Sequence, residues 1–188
     1  MRISGNTLIT FLLLIIIASL YRIMPGRPWG FAPQIAMTVF GGAVIKDKKF
    51  AFLLPILSMF LSDALYEVLY LNGIGNIPGF YSGQITNYIL FGSMTIFGMM
   101  IKRINVTNVI LASLAAPVAY FLLSNTTLWI GGGGLHRPKT FSGLMMCYND
   151  ALPFFGWSVA ASLIFSAIFF GGYALYGKPS VDAQKQIA

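Results

Sequence analysis

The chain has 188 residues, of which 57% are hydrophobic and only 9% are charged, and its mean hydropathy is +0.77. A soluble domain of this length needs far more charge to cover its surface, so the composition excludes soluble classes and predicts an all-α integral membrane protein. The net charge of +7 does not indicate nucleic-acid binding, because the basic residues stand at the ends of apolar segments, as membrane topology requires.

Six apolar segments predict a polytopic protein with six transmembrane helices in one bundle, since a span needs about 20 apolar residues. In chain order the segments are 7–24, 31–45, 50–71, 80–101, 106–130 and 154–176. The second segment is short and Pro33 opens it, so we expect it to begin inside the bundle. The first segment also has the basic start and apolar core of a signal peptide, but no small-residue cleavage site follows it, which favours an uncleaved helix.

Glycine and proline separate the predicted helices at 25–28, 72–79 and 131–134. The link from Gly131 to Pro153 is the longest, and its second part, SGLMMCYNDALPFF, is too apolar for a solvated loop. We interpret that part as a short extra helix on or in the membrane. The predicted organisation is a single transmembrane domain over residues 1–177 and a cytoplasmic polar tail over residues 178–188.

Charge asymmetry predicts the orientation, because basic residues accumulate in cytoplasmic links. One side of the predicted bundle collects eight basic residues, Arg2, Lys46, Lys48, Lys49, Lys102, Arg103, Lys178 and Lys185. The other side collects four, Arg22, Arg27, Arg137 and Lys139. With six helices, this asymmetry places both termini in the cytoplasm and the first, third and fifth links outside.

Asp63 and Glu67 lie one helical turn apart in the third predicted span, where a charge costs about 2.5–3.5 kcal/mol. In the functional interpretation they form the wall of a cavity that binds a polar or cationic ligand. In the structural interpretation Asp63 forms an ion pair with Arg22 across the helix interface. Both interpretations stay open for Asp63, whereas Glu67 lies nearer the outer surface, where a solvated carboxylate is less costly.

Further polar residues are predicted at the same outer end of the bundle, while the inner half is almost purely apolar. This distribution predicts a cup that is open to the outside and closed below, because a continuous pore needs polar lining through both halves. The predicted substrate-binding residues are Asp63, Glu67, Gln84, Asn87, Asn125, Trp129, His136, Cys147, Tyr148, Asn149 and Asp150.

The link after the fifth span has several features with a functional and a plain structural interpretation. Its glycine run, 131–134, is either the hinge of a lid or a flexible connector. The basic cluster HRPK at 136–139 contacts either an anionic ligand or lipid headgroups. His136 and Cys147 are too few for a metal signature, so no metal and no cofactor is predicted. The chain has no Ser/His/Asp arrangement of recognisable spacing and no Walker motif, so we expect no enzyme activity.

Five segments carry a resemblance to known membrane proteins: GFAP at 30–33, FGGA at 40–43, LLPILSMFLSD at 53–63, SNTTLW at 124–129 and PKTFSGLMMCYNDALPFF at 138–155. With them the chain resembles an uncharacterised family of bacterial six-helix transport proteins. It is also similar to the S components, the substrate-binding subunits of energy-coupling-factor vitamin transporters. The resemblance implies an S-component-like fold, a bacterial inner membrane and uptake of a small vitamin-like molecule.

The partners that the resemblance implies are membrane lipid, a small-molecule substrate and either a coupling module or other membrane subunits. The first helix, FLLLIIIASLY, lacks the small residues spaced by four that usually allow docking on a coupling module, which favours a solitary version. In a cobalamin-related version of that kind, Cys147 would meet the cobalt. The alternative function is a non-transporting accessory subunit of a larger membrane complex, whose acids would pair with a partner helix.

Overall fold

The computed structural model describes residues 5–176, with side chains described from residue 12 to residue 175. Within that part of the chain the structure is all-helical, which confirms the predicted class. The seven helices are α1 (Gly5–Ile23), α2 (Gln34–Val44), α3 (Lys48–Leu71), α4 (Gln84–Ser93), α5 (Thr95–Met99), α6 (Val106–Ile130) and α7 (Phe141–Tyr176). The predicted polar tail, 178–188, and the basic residues Arg2, Lys178 and Lys185 lie outside the described residues.

Three described helices are long and apolar enough to cross a membrane: Lys48–Leu71, Val106–Ile130 and Phe141–Leu175. Two apolar helical stretches are shorter, Leu12–Ile23 and Gln34–Val44. Many large hydrophobic side chains point away from the bundle, with exposed fractions up to 79% for Leu175. This surface agrees with a protein that is surrounded by lipid rather than water.

α2 is the centre of the fold. Eight of its 11 residues are buried, and α3, α4, α5, α6 and α7 all pack against it. Its crossing with α5 is close because both helices present glycine there: a Cβ on Gly98 would overlap the carbonyl oxygen of Val39, and one on Gly42 would overlap that of Thr95. The prediction that the second segment begins inside the bundle is confirmed, since its first helical residue, Gln34, is 1% exposed.

Buried serines connect neighbouring helices on both sides of α2. Ser19 Oγ of α1 lies 2.8 Å from the carbonyl oxygen of Ser58 in α3. Ser162 Oγ of α7 donates to the carbonyl oxygen of Ser113 in α6 at 2.8 Å, and Ser113 Oγ lies 2.8 Å from Ser166 Oγ. Small hydroxyl side chains allow close helix contact and supply hydrogen bonds where water is excluded.

The fourth predicted segment, 80–101, is not one helix. α4 and α5 are separated at Met94, and α4 begins only after Gly83, which has a positive φ of 89°. α5 packs along α2, where its glycine allows the close crossing described above. The one helix predicted over 80–101 is thus two shorter helices in the structure, and the second of them has the close glycine contact with α2.

The predicted short extra helix before Pro153 is also wrong as a separate element. α7 runs from Phe141 to Tyr176 without interruption, so SGLMMCYNDALPFF forms its first part and the fifth link shrinks to 131–140. Proline removes one backbone donor, and membrane helices tolerate that loss more often than soluble helices do. With 36 residues, α7 is about 54 Å long, well above the roughly 30 Å of a hydrocarbon core.

Candidate functional site

A cavity of about 350 Å³ lies between the ends of α1, α3 and α4, the N-terminus of α2, and the first and third links, 24–33 and 72–83. Its most buried lining residues, Gln34, Met59 and Asp63, are each 1% exposed. Trp29, also part of the lining, is 60% exposed. The cavity therefore has a buried floor and an exposed aromatic rim, and its volume falls in the range of small-molecule sites.

Arg22 and Asp63 form an ion pair on the cavity wall. Arg22 Nη1 donates to Asp63 Oδ1 and also to Ser62 Oγ, which is 2.6 Å away. Asp63 Oδ2 accepts from Gln84 Nε2 and from the Tyr88 hydroxyl, both at 2.7 Å. Both carboxylate oxygens thus have donors inside the chain, and the network joins α1, α3 and α4 at one end of the bundle.

Glu67 holds the third link against α3. Its Oε2 accepts from the backbone N–H of Gly79 at 2.8 Å and of Phe80 at 3.2 Å. Gly79 packs directly on the α3 backbone, where a Cβ would overlap the carbonyl oxygen of Asp63. Glu67 itself is not among the residues that line the cavity, although Gly79 is.

Asn87 lines the cavity on the side of α4 and joins two tyrosines. Its Nδ2 donates to the Tyr81 hydroxyl at 2.9 Å, and its Oδ1 accepts from the Tyr120 hydroxyl at 2.5 Å. Burial raises the pKa of the Tyr81 hydroxyl, so this group stays neutral at physiological pH. The three side chains form a neutral polar part of the wall.

Most of the cavity lining was not identified from the sequence, and two of the missed residues, Gln34 and Arg27, are polar. Gln34 donates weakly through Nε2 to the carbonyl oxygen of Ala18 at 3.3 Å, while its Oε1 has no donor among the described residues. Arg27 donates only to backbone carbonyl oxygens, including those of Arg22 at 3.1 Å and Phe31 at 2.8 Å. The one signal for Gln34 was its place as the only amide side chain in the short second segment.

The fifth link folds back on the end of α6 and the start of α7, away from the cavity lining. Arg137 donates to both oxygens of Asp150 at 2.8 Å, and this hydrogen bonding raises the pKa of the arginine. Trp129 Nε1 donates to the carbonyl oxygen of Pro138 at 2.8 Å, and Lys139 Nζ lies 5.0 Å from the centre of the Trp129 ring. These contacts satisfy the polar groups of the link within the link and its neighbours.

Other predicted residues connect α6 with α7. Tyr148 OH lies 2.7 Å from Thr126 Oγ1, and Cys147 Sγ lies 3.6 Å from the carbonyl oxygen of Asn125. Asn125 lines a second cavity, of about 230 Å³, which shares residues Gly30, Tyr120 and Ser158 with the first. Within residues 5–176, no group of three or more His, Cys, Asp or Glu side chains is placed to hold a metal ion.

The eleven predicted residues are thus distributed over several places. Asp63 and Asn87 share the first cavity, Gln84 binds Asp63 next to it, and Asn125 lies in the second cavity. The remaining seven line neither cavity: Glu67, Trp129, His136, Cys147, Tyr148, Asn149 and Asp150. His136 Nδ1 lies 2.7 Å from the carbonyl oxygen of Gly132 within the link, and Asn149 is exposed on α7.

No curated protein and no solved structure matches this chain. The predicted similarity to S components therefore stays a prediction. A family described as "Family of unknown function (DUF6580)" matches residues 3–184, which is almost the entire chain. By that match, this protein belongs to the DUF6580 family.

Proposed function

We propose that this protein is a membrane transporter, or the substrate-binding membrane subunit of one, for the uptake of a small vitamin-like molecule. The observation that carries the proposal is the cavity of about 350 Å³ with its buried polar floor and exposed rim. Concave sites of this size, mostly apolar with a few fixed polar groups, are typical of small-molecule binding. An exposed rim gives such a molecule a way in and out.

The proposal includes six crossings of a bacterial inner membrane, with both termini in the cytoplasm. α1, α3, α6 and α7 would cross as full-length helices, whereas α2 and the α4–α5 pair would cross as shorter elements enclosed by their neighbours. Breaks in a helix are tolerated at membrane depth where protein surrounds them. The eight-to-four distribution of basic residues would then place the cavity at the outer end, as in the cup of an S component.

The alternative, a non-transporting accessory subunit, predicts that the intramembrane acids pair with a helix of another protein. Asp63 instead pairs with Arg22, and Glu67 accepts from two backbone N–H groups of its own chain. Neither carboxylate needs a partner protein. This internal satisfaction favours the transporter over the accessory subunit.

Native mass spectrometry of the protein in mild detergent tests the proposal. We expect the wild type to retain a small molecule, and Ala32→Trp, which places a large ring on the cavity wall, to lose it. Ile89→Trp is the matched control, because Ile89 is 65% exposed on the outer face of α4 and should retain the molecule. Equal retention by the two variants would contradict the proposal, as would the absence of a bound molecule from all three proteins.

A further inference from the structure

The cavity wall includes the N-terminus of α2, since Gln34 and Ile35, the first two residues of the helix, both line it. The first N–H groups of any helix have no acceptor within the helix. Here the backbone N–H groups of Gln34, Ile35 and Ala36 have no acceptor among the described residues, and these residues are 1%, 5% and 0% exposed. Buried amide donors at the positive end of a helix dipole form an environment that favours a negative charge.

Arg27 adds a full positive charge to the same wall. It has no carboxylate partner among the described residues, whose ion pairs are Arg22–Asp63 and Arg137–Asp150. The carboxylate of Asp63 is neutralised by Arg22. The cavity lining therefore carries one formal positive charge in excess, in addition to the partial charge of the helix end.

Gln34 imposes a second requirement on the molecule that the cavity takes. Its Oε1 is a buried acceptor without a donor among the described residues. A buried polar atom left in this state is costly, so a bound molecule that supplies an N–H or O–H group gains a hydrogen bond there. The exposed ring of Trp29 and the ring of Phe91 on the wall favour an aromatic or apolar body.

We infer that the cavity binds a small organic carboxylate that also carries an N–H or O–H donor, with its charge between the N-terminus of α2 and Arg27. This inference rests on the proposed function and names the substrate class of the same site. Buried ends of short helices receive anionic groups in this way in transporters built from interrupted helices. The carboxylates that the sequence singled out, Asp63 and Glu67, would then shape the site without binding a cationic ligand.

Four probes with similar ring systems separate the two requirements. Indole-3-acetate carries a carboxylate and an N–H donor, indole-3-acetamide is neutral, tryptamine is cationic, and naphthalene-1-acetate keeps the carboxylate without the ring donor. We expect indole-3-acetate to bind to the detergent-solubilised protein at least about tenfold more tightly than the amide or the amine, which corresponds to about 1.4 kcal/mol. Naphthalene-1-acetate should bind more weakly than indole-3-acetate. Isothermal titration calorimetry measures all four Kd values.

Variants of Arg27 and Gln34 test which residues contact the bound carboxylate. Arg27→Gln should raise the Kd for indole-3-acetate by about tenfold or more, because it removes a charged hydrogen bond. Gln34→Glu should raise the Kd by about as much, because the new carboxylate repels the carboxylate of the bound molecule. The helix N-terminus favours the new carboxylate of Gln34→Glu, but the change removes the Nε2 donor that faces the Ala18 carbonyl oxygen. Thermal unfolding therefore accompanies the titration of this variant, and a loss of binding in a folded Gln34→Glu protein reports the charge of the site. Arg27→Lys keeps the charge and should retain part of the binding. Arg137→Gln, in the fifth link and outside the cavity lining, is the control and should leave the Kd unchanged.

Equal or tighter binding of the amide or the amine would overturn this inference and would leave the proposed transport function standing. Failure of all four probes to bind would likewise overturn it, because the site would then not accept an aromatic carboxylate with a donor. Unchanged Kd values in both Arg27→Gln and Gln34→Glu would show that the acid binds elsewhere. The retention of a molecule in native mass spectrometry decides the transport function separately.

Discussion

Replacing Asp63 by asparagine should destabilise the protein strongly, because it leaves the guanidinium of Arg22 without its counter-charge. Asp63 is 1% exposed, and the side chain of Arg22 is only 18% exposed, so water cannot replace the lost partner. After the change, no carboxylate faces the Arg22 guanidinium, which keeps the hydrogen bond to Ser62 Oγ and its position 5.6 Å from the centre of the Tyr66 ring. Removing one partner of such a pair costs about 3–5 kcal/mol.

The combined change Asp63→Asn with Arg22→Gln should recover much of that loss. The new asparagine oxygen can accept from Gln84 Nε2 and the Tyr88 hydroxyl, which now donate to Asp63 Oδ2. Its amide N–H₂ group can donate to the side-chain oxygen of the new glutamine. A neutral, hydrogen-bonded pair then occupies the place of the ion pair, so the double variant should be at least as stable as either single variant.

Unfolding in detergent micelles, followed by circular dichroism, measures the four proteins of this double-mutant cycle. Glu67→Gln is the comparison in the same helix, and it should change the melting temperature little. Its amide oxygen can still accept from the backbone N–H groups of Gly79 and Phe80. The reasoning is refuted if the double variant loses as much stability as the two single variants together, or if Glu67→Gln is as damaging as Asp63→Asn.

Three further predictions concern the links and the orientation. Gly79→Ala should destabilise the protein by about 1–3 kcal/mol in thermal unfolding, because the added Cβ overlaps the α3 backbone. Gly75→Ala in the same link is the control and should be nearly neutral, because its Cβ would lie 3.5 Å from the nearest atom. Equal effects of the two changes would contradict the close packing of Gly79 on α3. Arg137→Gln should lower the melting temperature slightly, and added salt should reduce the difference from wild type, because the ion pair it breaks is about one-third exposed. Cysteines placed at Lys48 and Gly133 should react with impermeant reagents from opposite sides of the membrane, and labelling of both from the same side would overturn the proposed topology.

Local signals explain which parts of the fold could be predicted from the sequence. The predicted fifth span, 106–130, coincides with α6, because Asn105 accepts a hydrogen bond from the Asn108 N–H at 2.8 Å at its start and Gly131 follows its end. The proximity of Arg22 and Asp63 was also foreseen as one of two interpretations. In an apolar bundle with few charges, an acid and a base at the same depth have few other partners.

The predictions that differ from the structure concern residues whose surroundings depend on tertiary packing, which no local sequence pattern shows. Pro153 looked like a boundary, yet α7 continues through it, and Leu152, Pro153 and Phe154 are all exposed there. Gln34 carries no charge, and its importance comes from burial at a helix end inside the bundle. The polar residues of the fifth link looked like ligand contacts, but Arg137 pairs with Asp150 and Trp129 binds Pro138.

The central position of α2 has a consequence for biogenesis. Its glycine contact with α5 joins Gly42 to Gly98, so more than fifty residues must be synthesised after α2 before its closest neighbour exists. At roughly 5–20 residues per second, translation of that stretch takes several seconds. α6 and α7 complete the surroundings of α2 later still. During this interval the N-terminus and the glycine surface of α2 have only α1, α3, α4 and the insertion machinery to shield them. The ribosome therefore makes the protein's core helix early, and its final packing forms last.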